Sequence, residues 1–593
     1  MKKTLAFILC AAMLLALLAG CGAQPAGVSV NEEAKLAAQE IFSTTAEPEE
    51  TKTSPEPEET KTFPEPPAPD ELKTTDGIHG DILFSEMEWS SYDTATFYEQ
   101  LEVLKTAKDF AVVQKAYDWL MQEYKRVFTL DELAWRHFYA KDQDRDWNAA
   151  CEETDNLFSE MKDALKAGVA QALNGAAGAE LRGYIGDCAS ALDGFSEVSA
   201  REQELTKQEN AMIIEYNELM EREELTEQEL NAEAGELYLR LIAVRNELAA
   251  LKGYESYAEF AYQDRYSRDY TPEEAAKFAE ELRPYAQDYY TYCYYCSVFS
   301  DGTLEELGTT PEEELDFLRR IAPEISDDAA EALAYMESHE LALIDYIDSG
   351  ITDCGYVTAL PLYNSGILYN ALYGDGLDLI NTSHEFGHYF DAYINRPDNC
   401  MLQPGSMDVF EIHSTGMSVL ASHWYDELFG ENADAERIVL LDSLMGSIVS
   451  GCVYDEFQQY VYAHPDMTVE ELNECYREIG ESYGMEFWDD EDSYAWMYVS
   501  HNYESPFYYI SYAVSAMATM QLYAMAEEDF DAALACYLDL IGRGAYDAGY
   551  CEVLKEVGLA VFSEDIGACL DEAYDIFDEL CYRYDMAAEG VAV

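Results

Sequence analysis

The stretch LDLINTSHEFGHYFDAYI, residues 377–394, decides how the sequence is interpreted. It holds the motif HEFGH at residues 384–388, between apolar residues at helical spacing. Positions i and i+4 lie on one face of a helix. His384 and His388 can therefore bind one Zn²⁺ ion, with Glu385 beside the open coordination position. The alternative interpretation is a pair of satisfied core histidines on a buried helix.

A catalytic zinc ion needs a third protein ligand besides the two motif histidines. Some zinc sites take it from a histidine six residues past His388, but that position is Ile394. The segment FEIHS at residues 410–414 offers Glu411 as the natural ligand, with His413 as a nearby competitor that points to another side of a helix. The motif and Glu411 together predict one zinc ion per chain.

A third cluster, HNYESPFYYISYA, occupies residues 501–513. Hydrolysis through a zinc-bound water creates an oxyanion, and neutral tyrosine hydroxyls and a histidine such as His501 can donate hydrogen bonds to it. Tyr508 and Tyr512 are four residues apart and share one helical face. The alternative is an aromatic core segment in a chain that has 46 tyrosines.

In this order, the three segments resemble the thimet oligopeptidase family of zinc peptidases, nearest its oligoendopeptidase F-like bacterial branch. The segment RNELAALKGYESY at residues 245–257 also resembles a family segment that precedes the catalytic half. The resemblance spans about residues 81–590. It implies a nearly all-helical, two-lobed ellipsoid that is split by a deep channel with zinc at its floor. It also implies cleavage of short unfolded peptides, because a narrow channel excludes folded proteins.

The resemblance also implies a role for each matching residue. The implied zinc ligands are His384, His388 and Glu411. The implied general base is Glu385. The implied donors to the substrate and the transition state are His501, Tyr508 and Tyr512. Tyr509 stays an alternative donor, because the tyrosine spacing varies within the family.

Two positions depart from the family pattern. Asp391, three residues past His388, stands where related sequences often carry His or Gln. Ser418 stands where many carry a second Glu. Neither is a predicted ligand, but both can change the hydrogen bonding around the site, and with it the zinc affinity or the pH optimum.

The net charge of the chain limits the classes of partner that it can bind. The chain has 593 residues, with 35 Lys and Arg against 118 Asp and Glu, which gives a formal net charge of −83. This balance excludes nucleic acid as a partner, because phosphate binding needs clustered basic residues. It suits an exported protein, or a site that attracts cationic substrates. The 46 Tyr, 24 Phe and 7 Trp exclude a wholly disordered acidic chain.

The first residues have the features of a targeting signal. Residues 1–20 have the pattern of a lipoprotein signal peptide, with two lysines before an apolar run that is too short to span a membrane comfortably. The sequence LAGC at 18–21 resembles a bacterial lipobox, which makes Cys21 the lipidated residue. The alternatives are an ordinary secretory signal and a retained anchor helix. Residues 21–80 hold a nine-residue repeat rich in Pro, Glu and Thr, which predicts an extended or disordered tether that is anchored by lipid.

Helix signals dominate from residue 81 onward, and residues 356–373 are the one good strand candidate. We therefore predict a mostly α fold with a small β-sheet near the zinc site. The predicted lobes are an N-terminal helical lobe at 81–340 and a C-terminal catalytic lobe at 341–593. A pair of long helices is expected within residues 202–251, joined near residues 222–226.

These features predict a zinc-dependent endopeptidase that hydrolyses short unfolded peptides, with a zinc-bound water activated by Glu385. We expect a monomer on the outer face of the cell membrane, anchored through Cys21. The alternative is a non-catalytic peptide-binding lipoprotein of the cell envelope. A site that had lost its chemistry should lack at least one of the predicted residues, and this sequence retains all of them.

Overall fold

The computed structural model describes residues 63–68, 72–192, 199–220, 222, 224–295, 298, 303–397, 399–402, 405–546, 548–561 and 566–588. The predicted signal peptide, Cys21 and most of the predicted tether lie outside these residues. Their assignments stay predictions.

α-Helices are the main regular elements of the described chain before residue 340. They are α1 (Ala95–Thr106), α2 (Phe110–Tyr139), α3 (Trp147–Leu173), α4 (Gly178–Ile185), α5 (Ala200–Met220), α6 (Glu227–Lys252), α7 (Tyr257–Phe260), α8 (Pro272–Tyr295), α9 (Thr303–Glu306), α10 (Pro311–Ile325) and α11 (Asp327–Ser338). A π-helical turn, Ala261–Arg265, continues α7.

A three-stranded sheet follows, made of β1 (Ala342–Tyr346), β2 (Gly355–Leu360) and β3 (Ser365–Leu372). The strand order is β1-β3-β2, with β1 parallel and β2 antiparallel to β3. Every residue of the central strand β3 is buried, while β2 lies at an edge. The sequence predicted β2 and β3, but it did not predict β1.

The regular elements that follow the sheet in the described chain are mainly helices. They are α12 (Asp378–Ile394), α13 (Met407–Ala421), α14 (Tyr425–Phe429), α15 (Ala433–Ala463), α16 (Val469–Ser482), α17 (Ser500–Glu504), α18 (Ile510–Glu528), α19 (Phe530–Arg543), α20 (Tyr550–Val557) and α21 (Ile566–Ala588). The motif HEFGH lies on α12, and the other two predicted segments lie on α13 and on α17–α18.

Local sequence explains where several helices begin. Thr226 accepts a hydrogen bond from the Glu229 amide and Glu229 reaches back to Thr226, so a capping box starts α6 just after the predicted break. Thr310 and Glu313 form the same arrangement at the start of α10, with Pro311 as its first residue. The predicted helix pair is therefore confirmed.

The hydrophobic core falls into two main clusters. The smaller one is built mainly from residues between Phe97 and Leu192, and the larger one mainly from residues between Leu205 and Cys581. The predicted lobe boundary at 340/341 lies inside the larger cluster, and it stays a prediction. Among the described residues, Met407–Ala463 is long and apolar enough to cross a membrane, but 83% of its most apolar window is buried inside the protein. That burial is typical of core helices.

Candidate metal centre

The turn between β3 and α12 fixes the start of the motif helix. Gly374 has φ +83°, a conformation that favours glycine. The Asp378 carboxylate accepts hydrogen bonds from the amides of Tyr373 (2.7 Å), Gly374 (2.7 Å) and Asp375 (3.2 Å). This carboxylate in the first helical turn joins the strand to the helix and also suits the positive end of the helix dipole.

Helices α12 and α13 cross closely at Gly387, inside the motif. A Cβ atom built on Gly387 would lie 2.6 Å from the His413 carbonyl oxygen and 2.7 Å from Ser414 Cα. Both neighbours are backbone atoms and cannot turn aside. Glycine here therefore lets α13 approach the histidine face of α12, and this approach brings Glu411 to the histidines.

Gly387→Ala is expected to lower zinc affinity by about 10–100-fold, as changes in the support of metal ligands typically do. The added methyl group forces α13 and its Glu411 away from the histidines. Zinc titration against a competing chelator measures the effect. Gly183→Ala on α4, where nothing lies within 4 Å of the added Cβ, is the matched control. Equal zinc affinity for the Gly387 variant and the wild type would contradict this account of the crossing.

Three side chains meet where the helices cross. The Glu411 Oε2 atom lies 3.5 Å from His384 Nε2 and 3.7 Å from His388 Nε2. One ligand atom from each of the three residues lies within 4.8 Å of the other two. In the described part of the chain, this is the one group of three or more His, Cys, Asp or Glu side chains with such a spacing. Tetrahedral zinc with bonds of about 2.0–2.2 Å holds its ligands about 3.3–3.5 Å apart. The 3.5 Å separation falls within this range and the 3.7 Å separation lies slightly above it, so the group is close to the spacing of a metal site.

His384 and His388 also have the protonation state that a metal ligand needs. The two side chains are 14% and 15% exposed. Burial lowers the pKa of His384 to about 3. Burial, followed by the charge of His384, lowers the pKa of His388 well below its usual value. Both imidazoles are therefore neutral at physiological pH, as metal ligation requires.

Glu411 is fully buried and held by its neighbours. The Tyr508 hydroxyl donates a hydrogen bond to Glu411 Oε1 at 2.9 Å, and the Ser414 hydroxyl donates to Oε2 at 3.3 Å. These contacts orient the carboxylate so that Oε2 faces the two histidines. Tyr508 thus contacts the predicted ligand, an arrangement that the sequence did not indicate.

The motif carboxylate Glu385 is buried against β2. A Cβ atom on Gly355 would lie 2.9 Å from Glu385 Oε1, so this glycine leaves room for the carboxylate. Glu385 Oε2 has no hydrogen-bond partner within the described residues. Burial, and then the nearby charge of Glu411, raise the pKa of Glu385 well above its usual value. A carboxyl group with raised proton affinity suits a proton acceptor in catalysis.

A cavity adjoins His384 and Glu385. Its wall includes Gly355, Asn370, His384, Glu385 and Tyr512. Tyr512 therefore shares the cavity with His384 and Glu385.

His501 completes an aromatic group beside the cavity. Its ring centroid lies 5.3 Å from that of Tyr508, 5.2 Å from that of Tyr509 and 6.1 Å from that of Tyr512. Burial lowers the pKa of His501 to about 4, so its imidazole is neutral at pH 7. The structure thus brings together all three predicted segments.

The competitor ligand and the two departures from the family pattern occupy supporting positions. His413 Nδ1 lies 3.0 Å from Asp391 Oδ1, which leaves His413 outside the three-residue ligand group. Asn395 donates a hydrogen bond to the same Asp391 oxygen at 2.8 Å. Ser418 donates to the Ile380 carbonyl at 2.9 Å and so ties α13 to α12. Both departures therefore act on how the two helices pack.

Comparisons with known proteins bear on the fold. Neither a protein-family model nor a curated protein matches the sequence. Solved structures do match: a putative oligoendopeptidase F aligns with a TM-score of 0.70 and 22% identity, over 84% of this chain and 99% of that one. The chain has the oligoendopeptidase F fold.

Two further solved structures share this fold. PZ peptidase A, solved with an inhibitor, aligns with a TM-score of 0.69 at 22% identity, over 84% of this chain and 99% of that one. A putative oligoendopeptidase F from Bacillus anthracis aligns with a TM-score of 0.66 at 18% identity, over 84% and 98%. The predicted mostly α, two-lobed fold with a small sheet is confirmed.

Proposed function

We propose that this chain is a zinc-dependent endopeptidase of the oligoendopeptidase F type that hydrolyses short unfolded peptides. The observation that carries the proposal is the placement of Glu411 Oε2 at 3.5 and 3.7 Å from the two motif imidazoles. The oligoendopeptidase F fold supports the same function. The buried Glu385 carboxylate supports catalysis over the alternative of a non-catalytic peptide-binding protein.

His384, His388 and Glu411 would hold the zinc ion. Bound there, the ion would act as a Lewis acid toward water and the substrate carbonyl. Two neutral imidazoles and one carboxylate are the donor set of known catalytic zinc sites, and they leave a coordination position open.

Glu385 performs the proton transfers. Its carboxylate takes a proton from the attacking water as the new C–O bond forms at the peptide carbonyl. The same proton then passes to the leaving nitrogen as the C–N bond breaks, so the products are a carboxylic acid and an amine. The acid then gives up its own proton, the second proton of the attacking water, and the amine takes up a proton, which leaves a carboxylate and an ammonium group.

The hydrogen-bond donors have separate roles. Tyr512, on the cavity wall, donates its hydroxyl hydrogen to the oxyanion that forms at the former carbonyl. Neutral His501 donates to the substrate backbone. Tyr508 holds Glu411 in place and acts on the reaction through that ligand.

The proposed substrates are short unfolded peptides, and cationic ones are expected to be favoured. Among the described residues, the cavity wall carries the acids Asp353 and Glu385 but no lysine or arginine. The net charge of −83 favours the approach of cationic peptides at low salt. Salt screens this attraction over about 8 Å at physiological ionic strength, so charge should affect rates more at low ionic strength.

Digestion of a peptide library, graded by length and charge, tests the substrate class. We expect internal cleavage of short peptides, and no cleavage of the same sequences inside a folded domain. Chelation should stop the reaction and zinc should restore it. Release of single C-terminal residues only would contradict the endopeptidase assignment. Efficient cleavage within folded domains would contradict the size limit.

We also propose that lipid at Cys21 anchors the protein to the outer face of the cell membrane as a monomer. Cys21→Ala is expected to move the protein from the membrane fraction to the soluble fraction or to leave the precursor uncleaved. Several acyl chains are needed for stable anchoring. Fractionation with detergent extraction measures this, with Cys188→Ala as the control. Normal maturation and membrane retention of the Cys21 variant would contradict the lipobox assignment.

A further inference from the structure

The loop between α17 and α18, residues 505–509, joins His501 to Tyr508 and Tyr512. Together with residues 501–504 of α17 it forms a segment, 501–509, whose carbonyl groups need hydrogen-bond partners because the regular helix pattern is interrupted there. Side chains from residues 245–268, far away in sequence, supply partners to most of this segment. The predicted donors are thus placed by contacts that lie outside the metal centre.

Arg245, on α6, is fully buried. Its guanidinium donates to the Asn502 carbonyl at 3.3 Å and to the Tyr503 carbonyl through its other terminal nitrogen. Its Nε donates to Glu209 Oε1 at 2.7 Å. Burial alone would raise the pKa of Glu209, but the charges of Arg245 and Arg265 hold that pKa below its usual value. The arginine therefore has a counter-ion and stays charged.

Two consecutive residues of the chain hold the next carbonyls. Arg265, at the end of the π-helical turn, donates to the Glu504 carbonyl at 3.1 Å. The Tyr266 hydroxyl donates to the Pro506 carbonyl at 3.0 Å. The contacts follow the order of the segment, from Asn502 toward Tyr508.

Arg268 makes the last of these carbonyl contacts, and it also contacts α13, the helix that carries Glu411. Its Nη2 donates to the Phe507 carbonyl at 2.8 Å and to the Ser511 hydroxyl at 2.9 Å. Its Nε lies 3.6 Å from Asp408 Oδ1, on α13, three residues before Glu411. Both side chains are 1% exposed. One buried cation thus contacts the tyrosine segment and the helix of the third ligand.

Phe507 shows why this loop needs support. Its φ of +65° lies in the left-handed region that a bulky residue rarely adopts. Such a conformation persists only where the surroundings fix it. The Phe507 amide donates to Gln458 Oε1 and its carbonyl accepts from Arg268. The strained residue immediately precedes Tyr508, so a change at Phe507 moves the tyrosine that holds Glu411.

We propose that Arg245, Arg265, Tyr266 and Arg268 form a clamp that positions Tyr508 and Tyr512 relative to Glu411. The inference rests on the proposed peptidase function and adds positioning residues to it. Arginine is rarely buried unless paired, yet two of the three arginines that contact this segment, Arg245 and Arg268, are buried. The chain places three of its 35 basic residues on one segment although its net charge is strongly negative. The planar fork of Arg245 holds the Asn502 and Tyr503 carbonyls through two nitrogens at a fixed separation, which a lysine ammonium cannot do.

Arg268→Lys and Tyr266→Phe test the clamp, because the first keeps the charge beside Asp408 and the second keeps the aromatic packing. We expect kcat to fall about 10–100-fold for Arg268→Lys, since a small misplacement of catalytic groups has effects of that size. Tyr266→Phe should lower kcat about fivefold through one lost hydrogen bond. KM should stay within threefold of wild type, the fall in kcat should persist at saturating zinc, and amide exchange across residues 505–512 should increase.

Arg201→Lys is the matched control, since Arg201 makes a two-pronged contact with Glu247 at an exposed site. Unchanged amide exchange in both variants would overturn the clamp, as would a kcat within threefold of wild type for Arg268→Lys. A kcat that returns to the wild-type value at saturating zinc would also overturn it, because the effect would then fall on metal binding alone. A wild-type protein that cleaves no peptide would overturn the proposed function and the positioning role together, whereas active wild type with equally active variants overturns the clamp alone.

Discussion

Glu385→Gln is expected to lower kcat by roughly 10²–10⁴-fold, the usual contribution of a general acid–base group. The amide keeps the volume of the carboxyl group but cannot accept the proton of the attacking water. The ligand atoms belong to His384, His388 and Glu411, so zinc should remain bound. Peptide cleavage under saturating substrate, together with metal analysis of the same sample, measures both outcomes.

The control for this variant is Glu280→Gln, an exposed glutamate on α8 that lies outside the site. It should cleave peptides at the wild-type rate. Turnover close to wild type in the Glu385 variant would show that another group transfers the proton. Loss of zinc from it would place Glu385 among the ligands instead.

Tyr512→Phe is expected to lower kcat by about 10²–10³-fold, or ~2.7–4 kcal/mol, the typical effect of removing one oxyanion donor. The substitution keeps the ring and deletes only the hydroxyl, so KM, zinc content and melting temperature should hardly change. An aromatic core residue would show no such selective loss of kcat. Steady-state kinetics with one short peptide distinguishes the two interpretations.

Tyr508→Phe and Tyr509→Phe are the matched comparisons. Tyr508→Phe deletes the hydrogen bond to Glu411 and should weaken zinc binding, which Tyr512→Phe should not do. Tyr509 is buried and packs against Tyr454, so Tyr509→Phe should have little effect. A large loss of kcat in Tyr509→Phe alone would move the donor role to Tyr509. If both Tyr508→Phe and Tyr512→Phe stay within about threefold of wild-type kcat, the segment is structural core and the donor assignment fails.

Sequence patterns predicted the parts of the site that depend on local geometry. His384 and His388 are four residues apart on one helix, so their shared direction follows from helix periodicity alone. Glu411 lies on a different helix, and it was singled out by its position after the motif and by the family resemblance. The close approach at Gly387 explains physically why that assignment fits.

Contacts between distant segments could not be predicted. The hydrogen bond from Tyr508 to Glu411 joins residues 97 apart in the chain, and the Arg245 contacts with the tyrosine segment span more than 250 residues. Helical periodicity says which face a side chain occupies, but it does not say which helix lies opposite. Strand β1 was missed for a related reason, because it is short, partly exposed and paired in parallel with β3 through a non-local contact.

The most direct test of the account is a zinc titration of the chelated protein, followed by peptide cleavage at each step. The account predicts that cleavage rises with added zinc and reaches its plateau at about one zinc ion per chain. It also predicts that Glu411→Ala binds zinc weakly and stays inactive over the same range. Full activity in metal-free wild-type protein, or a Glu411→Ala variant with the wild-type titration curve, would contradict the zinc site assigned to His384, His388 and Glu411.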